Sequence, residues 1–163
     1  MQYDRWVQGS QWVMLVYRLP RDPSTPRITL WRKLRRLGVA QIMDGVVALP
    51  ADPDNREQLE WLAEDVVQAG GEATMWLSEP ATAAEARQLA DAMTERIDAE
   101  YRSIAEAAQA ARSSGAVERR RTLARLRREL RRVAARQYFP TREADAARKA
   151  VEALAKATAE EAA

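Results

Sequence analysis

The residues with the clearest chemical capacity form one run, VERRRTLARLRRELRRVAAR, from Val117 to Arg136. Within it Arg121, Arg125, Arg128 and Arg132 recur at steps of four, three and four, which places them in a row on one helical face. Arg120, Arg127 and Arg131 flank that row, and Leu123, Leu126, Leu130 and Val133 fall on the opposite side. A guanidinium keeps its charge at any physiological pH and presents a planar fork that fits phosphate and carboxylate oxygens. A row of such groups on a rod can follow the phosphates of a nucleic acid, each contact releasing counterions. Two other readings of the same residues stay open. One is the solvated face of a bundle helix, since arginine is a good helix former. The other is pairing with an acidic helix that precedes the run and carries Glu95, Asp98, Glu100 and Glu106. Few glutamates stand four residues beyond these arginines, which argues against pairing along the helix itself.

A second basic cluster comprises Arg27, Arg32, Lys33, Arg35 and Arg36, with Arg18 and Arg21 placed to extend it into a groove. The first turn of a helix points its N–H groups outward, so Arg18, Arg27 and that turn make a candidate oxyanion site. A solvated helix face is the plainer reading of Arg32, Lys33 and Arg36. Aromatic interleaving of the kind single-strand binders use is thin. Of the tryptophans, Trp12, Trp31 and Trp61 are expected in packing roles, and Trp6 and Trp76 nearer the surface.

The composition closes several other routes. The chain has 163 residues with no cysteine and no histidine, which removes disulfides, thiolate and imidazole metal sites, and Ser-His or Cys-His catalysis. The acidic pairs Asp52/Asp54, Glu57/Glu60 and Glu64/Asp65 lack calcium-loop spacing and suit helix starts and surface charge. No phosphate-binding glycine loop, dinucleotide fingerprint or nucleophile elbow is present. The expectation is a protein that is not an enzyme and needs no metal or cofactor. No apolar run reaches the roughly 20 residues of a membrane span, and the first residues lack a charged-then-apolar leader, so a cytoplasmic location without membrane contact is expected. The net charge is +2, yet residues 113–138 hold nine arginines against two glutamates. The basic character therefore sits in one segment.

These residues need elements to position them. Trp12 to Leu19 is almost wholly apolar and ends at Pro20, which reads as a central strand covered on both faces. Thr25 as N-cap, Pro26 at the first helical position and Gly38 as the stop frame a short helix whose Leu30, Trp31, Leu34 and Leu37 share one side. Val39–Met43 and Val46–Leu49 flank Asp44-Gly45, a type I′ hairpin signal. Asp52 and Pro53 start a second helix, closed by Gly70-Gly71, and Glu72–Leu77 alternates as a half-buried strand. The order β-α-β-β-α-β is that of a ferredoxin-like sheet domain, over residues 10–78. From residue 79 strand signals vanish and alanine dominates. Three amphipathic helices, at about 80–112, 116–136 and 141–160, with short connections, predict an antiparallel helical appendage over 79–163. The fold class is thus α+β. The tail TAEEAA is expected to fray.

Three stretches carry a resemblance: WVMLVYRLPRDPSTPRITLWRKLRRLGVAQIMDGVVALP, LEWLAEDVVQAGGEATMWLSE, and the arginine-rich helix running on to AARQYFP. Together they resemble the N-terminal region of the chromate resistance protein ChrB family, over about residues 10–155. The β-α-β-β-α-β portion is also similar to the middle domain of PaaX-type repressors and to Cas2. The resemblance implies a DNA-associated regulator or accessory protein of chromate resistance and, because family members continue into a second domain, a separate partner of the ChrB C-terminal type. A homodimer would double the arginine contacts by symmetry. Where Cas2 nucleases keep an aspartate at the end of the first strand, this chain has Arg18, Leu19 and Pro20. A metal-dependent nuclease is therefore not implied.

Overall fold

The computed structural model describes residues 11–160; Trp6 and the last three residues of the alanine-rich tail lie outside them. The described elements run β1 (Trp12–Arg18), α1 (Thr25–Leu37), β2 (Ala40–Met43), β3 (Val46–Pro50), α2 (Pro53–Gln68), β4 (Glu72–Ser78), α3 (Ala83–Ala111), α4 (Ala116–Ala134) and α5 (Arg142–Glu160). The chain divides into two compact units, Met1–Met93 and Thr94–Ala163, so the division falls inside α3.

In the first unit the strands form one sheet in the order β2-β3-β1-β4, all neighbours antiparallel. That is the ferredoxin-like arrangement, with the most apolar strand, β1, in the middle. Leu15 lies opposite Val47 on one side and Met75 on the other, so these three face the same way. Val13, Leu15, Val47 and Leu49 are fully buried, as are Leu30 and Leu34 of α1 and Leu59, Leu62 and Val66 of α2. On the reverse face Trp12 and Ala48 are buried, while Met14 and Val16 are only half-buried. The expectation of a strand covered on both faces therefore holds fully only for the Val13–Leu15 side. A groove on the reverse side, of about 470 Å³, is lined by Trp12, Met14, Ile42 and Ser78 together with Glu85 and Leu89 of the first turns of α3.

Two local expectations need correction. Trp31 and Trp61 are not packing residues: they are 53 % and 54 % exposed. Each helix meets the sheet along a narrow line, Leu30–Leu34 in α1 and Leu59–Leu62–Val66 in α2, and the neighbouring position on the wheel, about 100° round, already faces outward. The Asp44-Gly45 turn is also not type I′. That type needs positive φ at both central residues, and only Gly45 has it, at 76°, which is the pattern of a type II turn. A register shift between Gln41 and Met43 in β2 supplies the extra twist that a primed turn would give. Gly45 is required for a second reason: its carbonyl accepts from the Tyr17 N–H at 2.8 Å, and a side chain there would run into the Tyr17 carbonyl.

The start of α1 differs from the expectation: Ser24, not Thr25, holds the N-cap position and makes no side-chain cap hydrogen bond, so Thr25 is already the first helical residue and Pro26 the second. The other two caps follow the sequence. Gly38 ends α1 at φ 70°, and Asp52 starts α2 by accepting the Asn55 N–H at 2.7 Å, with Pro53 following. Buried Asn55 returns its side-chain N–H groups to the Pro50 carbonyl and Asp52, which ties the end of β3 to the helix start.

In the second unit the later part of α3, α4 and α5 share one core. Ile97, Tyr101, Ile104 and Ala108 meet Leu123, Leu126 and Val133 and also Ala144, Ala147, Val151 and Leu154. Helices α3 and α4 run antiparallel. Arg119, at the start of α4, donates to the Arg112 carbonyl just past the end of α3, and Arg136, beyond the end of α4, reaches back to Glu100. Tyr101, fully buried, donates to Gln137 Oε1 at 2.7 Å, and Gln137 donates in turn to the Phe139 carbonyl, which fixes the α4–α5 connection.

One polar group in this core is poorly served. The Asp98 Oδ1 is buried with no hydrogen-bond partner among the described residues. Burial pushes the Asp98 carboxyl above the ordinary carboxylate range; the Thr141 hydroxyl opposes this, the Glu143 charge adds to it, and Arg102 opposes it. A carboxyl whose pKa is raised by folding holds its proton more tightly folded than unfolded. Asp98 therefore lowers stability at neutral pH, and that penalty fades as pH falls through the raised value toward the roughly 3.9 of an unfolded aspartate.

Two outcomes follow. Leu15→Ala should destabilise the protein by about 2–5 kcal/mol in urea unfolding, whereas Trp31→Ala, at a half-exposed position, should cost only about 1 kcal/mol. Asp98→Asn should raise the melting temperature relative to wild type at neutral pH, with the difference shrinking by about pH 4; a difference independent of pH would count against a raised Asp98 pKa.

Candidate nucleic-acid interface

The arginine row is set by the leucine row behind it. Leu126 and Val133 are buried, Leu123 nearly so, and Leu130 is half-buried, all within the core of the second unit. Fixing those four orients the helix, so Arg120, Arg121, Arg125, Arg127, Arg128, Arg131 and Arg132 are all exposed. From Arg121 to Arg132 the row is about 16 Å long at 1.5 Å per residue. Arg131 and Arg132 also sit in the last turn of α4, where the helix dipole favours cations.

Carboxylates do not fill this face. Among the described residues, only Arg125 of the seven has a carboxylate partner, Glu129 at 3.0 Å, one turn along the same helix and exposed to solvent. Of the α3 carboxylates, Glu100 is engaged elsewhere. Glu100 accepts a bidentate pair of hydrogen bonds from Arg136 at 2.8 and 2.7 Å. Hydrogen bonding to Glu100 holds the Arg136 guanidinium still more firmly charged than usual, against the desolvation that opposes it. Glu143, at the start of α5, lies 3.7 Å from Arg102, and Asp145 pairs with Arg148 at 3.0 Å. Pairing with the acidic helix was one reading of the run; the residue that takes that role is Arg136, at its very end, and not the row. Arg119 is the other arginine of the run that turns inward, buried at the α3–α4 corner.

The second basic cluster is divided. Arg18 is bound to Glu72 at 2.7 Å and Lys33 to Asp65. Arg27, Arg32 and Arg36 are exposed, without a carboxylate partner among the described residues. A shallow pocket of about 300 Å³ lies at the start of α1, lined by Thr25, Pro26, Thr29, Lys33 and Asp65 among others. Neither Arg18 nor Arg27 lines it, and an anion there would face the Asp65 carboxylate. Pro26 further removes one N–H from the first turn. Arg18 and Arg27 thus do not join the helix start in lining one pocket. One feature of this face escaped sequence reasoning: the Arg35 guanidinium lies over the exposed Trp31 ring, 4.8 Å from its centroid. The spacing of four between the two was the available signal.

Among the described residues no group of three or more acidic side chains is placed to hold a metal ion, and no helix is long and apolar enough to cross a membrane.

Comparison with known proteins agrees with the resemblance from the first helix onward, through the hairpin and the arginine helix; the first strand lies outside the family match. The family model described as Protein ChrB, N-terminal, matches residues 27–163. Protein ChrB of Cupriavidus metallidurans is 37 % identical over 87 residues, covering 52 % of this chain and 27 % of that protein. The matched part thus spans about a quarter of that relative's length. No solved structure matches the chain. With the family model covering most of the sequence, the chain belongs to the ChrB N-terminal family.

Proposed function

We propose that this chain acts as the DNA-contacting part of a ChrB-type transcriptional regulator of chromate resistance, working in the cytoplasm and without enzymatic chemistry. The observation that supports it is the exposed arginine row of α4. Six of the seven arginines that make up the row and its flanks lack a carboxylate partner among the described residues, on a segment whose charge is +7 between residues 113 and 138. Guanidinium groups left in this state are fully hydrated and surrounded by mobile anions. Laying a phosphate backbone along them releases ions from both surfaces, which drives association without any change in the protein. These contacts position the protein and carry no sequence information themselves. Base readout would come from other residues or from a partner.

A second reading has one observation in its favour. The relative in Cupriavidus metallidurans extends far beyond the matched part. In that reading the row meets acidic groups of a separate ChrB C-terminal-type partner, and the chain is an interaction module. Direct chromate sensing at the start of α1 has less support, given the Glu72 and Asp65 carboxylates already bound to Arg18 and Lys33.

Fluorescence anisotropy with a labelled duplex taken from the promoter of a chromate resistance operon tests the proposal. Affinity should fall steeply between about 50 and 200 mM salt. The double variant Arg121→Gln/Arg128→Gln should lower the log–log salt slope by roughly 2 while leaving the circular dichroism spectrum intact. Absent binding, or an unchanged slope in the variant, would sink the DNA reading and leave the partner-docking one.

A further inference from the structure

The two edges of the sheet are built differently. On one side β2 is four residues long and broken by the register shift between Gln41 and Met43, both of which are common devices for keeping an edge from pairing. On the other side β4 has neither. It runs seven residues, Glu72 to Ser78, in unbroken register with β1 from Arg18 to Trp12. It contains no proline, no lysine and no bulge, and its one charge, Glu72, is already neutralised by Arg18. Its outward backbone groups meet no other backbone among the described residues. Two large apolar side chains stand exposed on this strand, one on each face: Trp76 at 59 % and Leu77 at 54 %.

We infer that β4 is a homodimer interface, pairing antiparallel with β4 of a second copy to make one continuous eight-stranded sheet. The strand's own sequence accommodates that occupant without opposing like charges. A two-fold axis normal to the sheet maps each face onto itself, so residues opposite one another must share a face, and their numbers must sum to an even value. The register that uses all seven residues is centred on Met75. It places Glu72 opposite Ser78 of the second copy, Ala73 opposite Leu77, and Thr74 opposite Trp76. No like charges meet. Leu77 gains the small, half-buried Ala73 of the other copy and extends the apolar helix-side face across the junction. On the reverse face the indole of Trp76, which donates to the Thr74 hydroxyl of its own strand at 3.2 Å, lies over the other copy's Thr74. Both exposed apolar groups thus gain a cross-strand neighbour by a single operation. This inference does not rest on the DNA reading; it concerns the sheet unit alone.

The register makes the test specific. Sedimentation velocity of the full chain should show a dimer at about 100 µM, by the ordinary affinity scale of specific interfaces. Thr74→Lys/Trp76→Lys places lysine opposite lysine twice and should halve the mass, with the circular dichroism of the folded chain retained. Thr74→Lys/Trp76→Glu changes the same two exposed positions but places lysine opposite glutamate twice, and should remain dimeric, its dimer weakening with salt. A monomeric wild type would overturn the inference. So would a lysine–lysine variant that stays dimeric, or two variants that behave alike, since either outcome puts the interface or its register elsewhere.

Discussion

The constraint on which the candidate interface depends is the seam of Leu123, Leu126, Leu130 and Val133. These side chains lie in a core shared by three helices, with Leu126 fully buried and Val133 nearly so. Burying them stabilises the unit by roughly 25 cal/mol per Å² of apolar surface. The same burial decides which way seven arginines point. An arginine helix without such a seam could roll, and its charges would present no fixed pattern. With it, the spacing of four, three and four becomes a row of defined length and direction. The alanines of α3 and α5 help by letting the helices approach closely, with Ala108, Ala144 and Ala147 fully buried.

Much of this was legible in the sequence, for a simple reason. Element identity here follows from short-range signals: prolines at helix starts, glycines at stops, apolar spacing in between. The order of strands and helices therefore came through, and with it the ferredoxin-like sheet. The exposed state of the arginine row also followed, because a seam of leucines at helical spacing has one plausible side to bury. What failed depended on how wide a contact is. Trp31 and Trp61 lie one step from buried leucines, and hydrophobicity alone assigns them to the core. Only the geometry of helix on sheet shows that the contact line is too narrow to include them. The Asp44-Gly45 turn failed similarly, because a register shift in β2 relieves the twist that the expected turn type would otherwise provide.

The roles of individual charges were harder still. Sequence shows that α3 is acidic and α4 basic, which makes their mutual pairing a reasonable expectation. Which arginine meets which carboxylate depends on where the antiparallel helices come into register. Glu100 stands level with Arg136, past the end of the row. Arg119 turns to a backbone carbonyl at the other end, and Asp98 faces Thr141 and Glu143 at the start of α5. None of these pairings has a local signature, since each joins residues on different elements.

That distribution has a consequence for how the charge can act. The carboxylates of α3 and α5 nearest to arginine are engaged by Arg136, Arg102 and Arg148, none of which belongs to the row. The ion pairs that join one bundle helix to the next, Arg136–Glu100 and Arg102–Glu143, and the cations of the row are therefore separate sets. A ligand that neutralises the row need not break a structural pair, so binding carries no penalty in bundle stability. Had the row been locked to α3, each phosphate contact would first have had to release a carboxylate, and the Coulomb gain would largely cancel. The single internal partner, Glu129, is exposed and on the same helix, where such pairs contribute only a few tenths of a kcal/mol, about 0.3–0.5. It can yield Arg125 at little cost. The physical case for a polyanion partner lies in this separation of charges more than in the number of arginines.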